Sequence, residues 1–132
     1  MVNREDEIFT LLHDKIKEDY PNLEIANEAI LSPSIFPFVY ITEINNREIY
    51  RDRTLTNLGD RSRVAYEVTV YDTQTGSAKR LCRDVMSKAD DVFRTVLCFQ
   101  RDSMVNFIDE NLNVNKTVAR YTGQINNAQK II

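Results

Sequence analysis

Five arginines crowd into the nineteen residues between Asn45 and Arg63: Arg47, Arg51, Arg53, Arg61 and Arg63. A guanidinium is permanently charged and planar, and its forked donors suit carboxylates and phosphates. Glu48, Asp52 and Asp60 offset three of the five, which leaves a local charge of +2 in a chain whose formal net charge is −3. Ile49, Tyr50, Leu55 and Leu58 are interleaved with the charges. This is the chemistry of recognition, with apolar anchors for affinity and arginines for orientation, because an exposed charge pair contributes only ~0–1 kcal/mol. A connection of roughly 17 residues is also longer than compact domains use without a purpose. The segment is therefore expected to pair with acidic groups on a neighbour or to face nucleic acid passing close by. The plainer alternative is a solvated charged loop.

Bond-making chemistry finds little to work with. The one histidine, His13, sits in an opening helical pattern near the border of its apolar stripe. Cys82 and Cys98 are sixteen residues apart and have no third ligand beside them in sequence, unlike a zinc site. Both are expected to be reduced and packed as small apolar residues. Gly76 stands alone before a helix, whereas phosphate-cradling loops use several glycines. Asp84, Lys88 and Asp91 fall on the polar side of that helix, with Asp90 at its border. No catalytic, cofactor-binding or metal-ligating residue is expected, and the chain is not read as an enzyme.

The elements that position the arginine segment follow from periodicity. Val64, Tyr66, Val68 and Val70 alternate with Arg63, Ala65, Glu67 and Thr69, the period of a strand. Beyond Thr-Gln-Thr-Gly-Ser, the residues Ala78, Leu81, Cys82, Val85, Ala89, Val92, Phe93 and Val96 recur at steps of three and four, one face of a long helix. Leu81, Val85, Val92, Val68 and Tyr66 are the expected core. An opening helix over residues 3–20 carries Ile8, Leu11, Leu12, Ile16 and Tyr20 as its stripe, with Phe9 at the edge, Asn3 as N-cap and Pro21 as its stop. Leu23–Ala26 reads as a short strand. Phe38–Ile44 reads as a second, with Val39 and Ile41 on one side and Phe38, Tyr40, Thr42 and Ile44 on the other. Cys98–Phe107 and Leu112–Ile125 close the chain as two strands around Asp109-Glu110-Asn111, a hairpin turn.

The order α-β-β-β-α-β-β predicts an α+β fold: a small antiparallel or mixed sheet of four to five strands with two helices on one face. At 132 residues, 42% hydrophobic and 28% charged, residues 1–132 read as a single domain. The opening Met-Val-Asn-Arg-Glu-Asp-Glu is polar and acidic, unlike a secretion signal. No apolar run approaches the ~20 residues of a membrane helix.

This layout resembles the tail terminator (tail completion) proteins of long-tailed bacteriophages, over nearly the whole chain. The resemblance rests on the opening helix, on Phe38-Val39-Tyr40-Ile41, and on an arginine-containing loop leading to Asp60-Arg61-Ser62-Arg63-Val64-Ala65-Tyr66-Glu67-Val68-Thr69-Val70-Tyr71. It continues with Ala78-Lys79-Arg80-Leu81 and with Val118-Ala119-Arg120-Tyr121-Thr122-Gly123-Gln124-Ile125, since the family often closes on an Arg-Tyr-x-Gly strand. One departure is that the long helix runs from Arg94 into Leu97-Cys98-Phe99 with no glycine to end it.

The resemblance implies a ring, hexameric in the family, at the head-proximal end of the virion tail. Such a ring caps the tail tube, stops its growth and offers a joining surface to the head. Its implied partners are further copies of itself, the tail tube protein, the head–tail connector protein, and phage DNA threading the lumen without sequence-specific binding; no membrane is implied. A connector, stopper or other neck protein is the alternative within virion assembly. A small enzyme or ligand-binding module is the alternative outside it.

Overall fold

A computed structural model describes residues 4–27, 37–48, 61–73, 78–110 and 113–126. The elements are α1 (Glu5–Asp19), β1 (Glu24–Ala26), β2 (Phe38–Glu48), β3 (Arg61–Thr73), α2 (Ala78–Asp91), a π-helical turn (Val92–Val96), β4 (Gln100–Asp109) and β5 (Val114–Asn126). The strands form one five-stranded sheet in the order β1-β2-β3-β5-β4. β1 runs parallel to β2 and every other pairing is antiparallel, so the sheet is mixed. The fold is α+β.

Both helices pack on one sheet face. The register opposes Val64 with Gly123, Tyr66 with Tyr121, Val68 with Ala119 and Val70 with Thr117, and places Val39 and Ile41 against Val70 and Val68. These side chains meet Ile8, Leu12 and Ile16 of α1 and Cys82, Val85, Met86 and Ala89 of α2 in one core. The α1 residues recur every four positions, so they share a face, and each buried side chain contributes roughly 1.5–3 kcal/mol. Acidic Glu5, Asp6 and Glu7 in its first turn and Lys17 in its last complement the helix dipole. Arg4 occupies the N-cap position and binds Glu7; the expected cap, Asn3, lies outside the described residues. Leu81, expected in the core, is only half-buried at its margin, while Met86 takes a fully buried place.

The end of the long helix differs from a plain α-helical reading. From Val92 the ladder widens, and the Leu97 N–H reaches the Val92 carbonyl at 3.0 Å, a five-residue step. The extra residue rotates the apolar face by one position. Leu97 is therefore 3% exposed, and Val96, expected in the core, is 48% exposed. Cys98 then turns left-handed at φ 58, and the Phe99 N–H closes onto the Phe93 carbonyl at 2.7 Å. This is a glycine-type helix stop made without glycine, with Phe99 packing back on Phe93 as such stops favour. Cys98 is exposed, which corrects its assignment to the core and to a strand start.

Four rings fill the space beneath this turn. Phe93 stacks on Tyr121 at 4.2 Å and 11°, and Tyr66 and Phe99 complete the group at 5.6–6.2 Å. The phenol of Tyr121 donates to Asp90 at 2.8 Å and that of Tyr66 to Glu43 at 3.0 Å. Burial, then the accepting carboxylates, push both phenols well above the usual tyrosine range.

Candidate interaction surface

The far sheet face bears no described helix. Its side chains are the alternate set, Tyr40, Thr42, Asn45 and Arg47 on β2, Arg61, Arg63, Ala65, Glu67 and Tyr71 on β3, and Lys116, Val118, Arg120, Thr122 and Gln124 on β5. At one end Phe38 is buried against Tyr71, and Lys116 lies over the Tyr71 ring at 5.0 Å. The other end is exposed and basic.

That basic end revises the expected loop. Asn45–Glu48 and Arg61–Arg63 are paired strand residues, not part of a connection: Asn45 opposes Ala65, Asn46 opposes Val64, and Arg47 opposes Arg63. A bulge at Ile44, between the pairs Glu43–Tyr66 and Asn45–Ala65, adds one residue to β2 and lets the strand continue. Ile44 is exposed there instead of sharing a side with Thr42. Ile49, Tyr50, Arg51, Arg53, Leu55 and Leu58 lie outside the described residues.

Arg47 and Arg63 are direct cross-strand neighbours, both exposed, and Arg61 follows two residues along on the same face. Like charges directly opposite one another destabilise an antiparallel pair. Neither Arg47 nor Arg63 has a carboxylate partner among the described residues. Of the acidic groups near this end, Glu67 is held by Arg120 at 2.9 Å and Asp102 accepts from the Thr122 hydroxyl. A shallow hollow of about 350 Å³ lies beside Arg63, lined also by Gln100, Asp102, Thr122, Gly123 and Gln124. Its walls are polar donors and acceptors, suited to a charged surface group and poorly suited to an apolar ligand.

Strand β4 supplies a second feature that the sequence reading assigned to ordinary sheet. It is an outer strand, ten residues long, with one backbone edge unpaired among the described residues. Met104 and Ile108 lie on the helix side and Val105 and Phe107 on the far side, and all four are exposed, Val105 at 54%. A long edge strand, apolar on both faces, is a template for another chain. The missed signal is the loss of alternation in Met104-Val105-Asn106-Phe107-Ile108, which marks a strand apolar on both sides.

Several other titratable groups have structural partners. Asp90 accepts from Tyr121 and Arg101 and lies 3.5 Å from Arg94, tying α2 to β4 and β5. His13 bonds Asp14 and rests near Phe9, as a half-exposed helix residue would. Among the described residues no three of His, Cys, Asp and Glu come together as a metal site would require. Cys82 is buried, its thiol near the Val70 and Asn115 carbonyls, and burial, then the Asp72 charge, push it up to about 11. Because thiolate is the reactive form, native protein should release one equivalent of thiol to an aromatic disulfide reagent at pH 8, from Cys98. Denatured, unreduced protein should release two. Two fast equivalents in the native state would contradict the burial of Cys82.

No protein-family model matches this chain, and no curated protein matches it.

Proposed function

We propose that this chain is a ring-forming assembly protein of a phage tail, a tail terminator that caps the tube and offers a joining surface to the head connector. The observation that carries the reading is a domain whose helices cover one sheet face, while the arginine end of its far face and the apolar side chains of β4 are exposed. A protomer of this form is finished by neighbours, and closed rings are built from two different patches meeting repeatedly. The α+β fold and the element order agree with the layout read from the sequence, on which the resemblance rests. The partners in this reading are further copies of the chain in a ring, hexameric by resemblance, the tail tube protein, the connector, and DNA in the lumen.

The test adds purified chain to tail tube protein polymerising on its initiator, with tube length measured by negative-stain electron microscopy. The expected result is short tubes of narrow length distribution, each bearing a density cap at one end. Tubes that grow to the same broad lengths with and without the chain, and carry no cap, would sink the proposal.

A further inference from the structure

The structure points to a head-to-tail contact between two copies of this chain, in which the acidic outer face of α1 on one copy docks on the Arg47–Arg63 end of the sheet on the next; we infer this as the ring interface, so it rests on the assembly reading above. The two surfaces are complementary in charge. Over Glu5–Asp19, α1 carries six carboxylates against two lysines, a formal −4. Its exposed positions Asp6, Glu7, Asp14 and Glu18 lie opposite the buried Ile8, Leu12 and Ile16, so the acidic face points away from the sheet, with Arg4 on Glu7 and Lys15 3.9 Å from Glu18. The arginine end carries Arg47 and Arg63 directly opposed, with Arg120 holding Glu67 and Asp102 accepting from the Thr122 hydroxyl beside them.

Geometry keeps the two patches apart within one molecule. α1 packs on the near sheet face and the arginines stand on the far one. The α1 face of one copy therefore does not reach its own arginine end, and a contact between the two joins unlike patches, the condition for a ring or a filament. Spacing also agrees: Asp14 and Glu18 are one helical turn apart, roughly 6 Å along the axis, and Arg47 and Arg63 stand directly across the strands, roughly 5 Å apart. The cross-strand repulsion between Arg47 and Arg63 is then relieved by the neighbour's carboxylates, as charge-assisted pairs shielded from water.

The experiment uses the full chain and follows mass by sedimentation velocity and mass photometry, in low salt and in 0.5 M NaCl. Three proteins are compared: wild type, Arg47→Glu with Arg63→Glu, and Asp14→Lys with Glu18→Lys. All substituted positions are exposed, and circular dichroism with thermal melts checks each fold. Wild type should associate, and high salt should weaken it at least tenfold. Each double variant alone should lose association by at least tenfold. Mixed one to one, the two variants present complementary reversed patches and should associate again.

Loss in the arginine variant alone, with the α1 variant unaffected, overturns the proposal. So does a wild type that stays monomeric at low salt, or a mixture that does not recover. If wild type is monomeric but retards a DNA duplex in a gel, and the arginine variant does not, the basic end serves a polyanion and the proposal is likewise overturned. The tube-capping assay separates this contact from the function. Capping by variants that no longer associate through these patches would remove the interface and leave the terminator reading standing. Association that obeys the charge swaps without any capping would do the reverse.

Discussion

Replacing Phe93 by alanine is expected to lower the unfolding free energy by about 3–5 kcal/mol, measured as a shift of the urea midpoint at unchanged slope. The ring is fully buried and touches the other three members of the aromatic group. Its removal costs the transfer energy of a phenyl group and leaves a cavity that Tyr121 and Phe99 cannot readily close. Tyr121 is anchored through its hydroxyl to Asp90, and Phe99 through its N–H to the residue-93 carbonyl. Small domains hold only about 5–15 kcal/mol in total, so the alanine variant stands near the limit of folding. Phe93→Leu keeps most of the volume and should cost less than half as much. A midpoint within 0.2 M of wild type for Phe93→Ala would show that the turn does not seat this ring in the core.

The same region shows what sequence can and cannot say. Tyr66, Val68 and Val70 were legible because β3 is central, with one face on the helices, so period-2 alternation survives intact. The two-helix, one-face layer was legible for the same reason. Ile8, Leu12, Ile16, Val85 and Ala89 repeat at helical spacing and have one place to go. The π turn was not legible, because a single inserted residue changes no residue type; it only exchanges Val96 for Leu97 in the core. Asn45–Glu48 read as loop because all four residues are polar, with Asn45 and Arg47 facing solvent on the far side of the sheet. The arginines were found by composition, but their pairing across β2 and β3 was hidden by the bulge at Ile44. Met104 to Ile108 read only as part of a strand. The residue types do not say whether an apolar strand is central or outer, and the sheet order places it at an edge.

Gly123→Ala is expected to cost about 1–3 kcal/mol through overpacking, despite adding only one methyl group to a strand where alanine is ordinarily no worse than glycine. Gly123 has no left-handed backbone to excuse it, since no described glycine has positive φ. The demand is for space. Gly123 sits opposite Val64 on the helix side of β5, and the Phe99 ring lies against its bare backbone. A Cβ there falls 2.1 Å from Phe99 Cδ1 and 2.5 Å from Cγ. The clash is with the root of the ring, so rotating its far end does not relieve it. Phe99 cannot retreat, because left-handed Cys98 and the bond to the Phe93 carbonyl fix its backbone. This gives the Arg-Tyr-x-Gly close of the chain a physical reason: the long helix ends without glycine, its last aromatic is thrown across the sheet, and the glycine of β5 receives it. The coupling is measurable as a double-mutant cycle by thermal or urea unfolding. Phe99→Leu alone should destabilise by removing ring contacts, but in its presence Gly123→Ala should cost at least 1 kcal/mol less than in wild type. Gly123→Ala with an unchanged melting temperature, or strictly additive costs in the double variant, would refute the seating of Phe99 on Gly123.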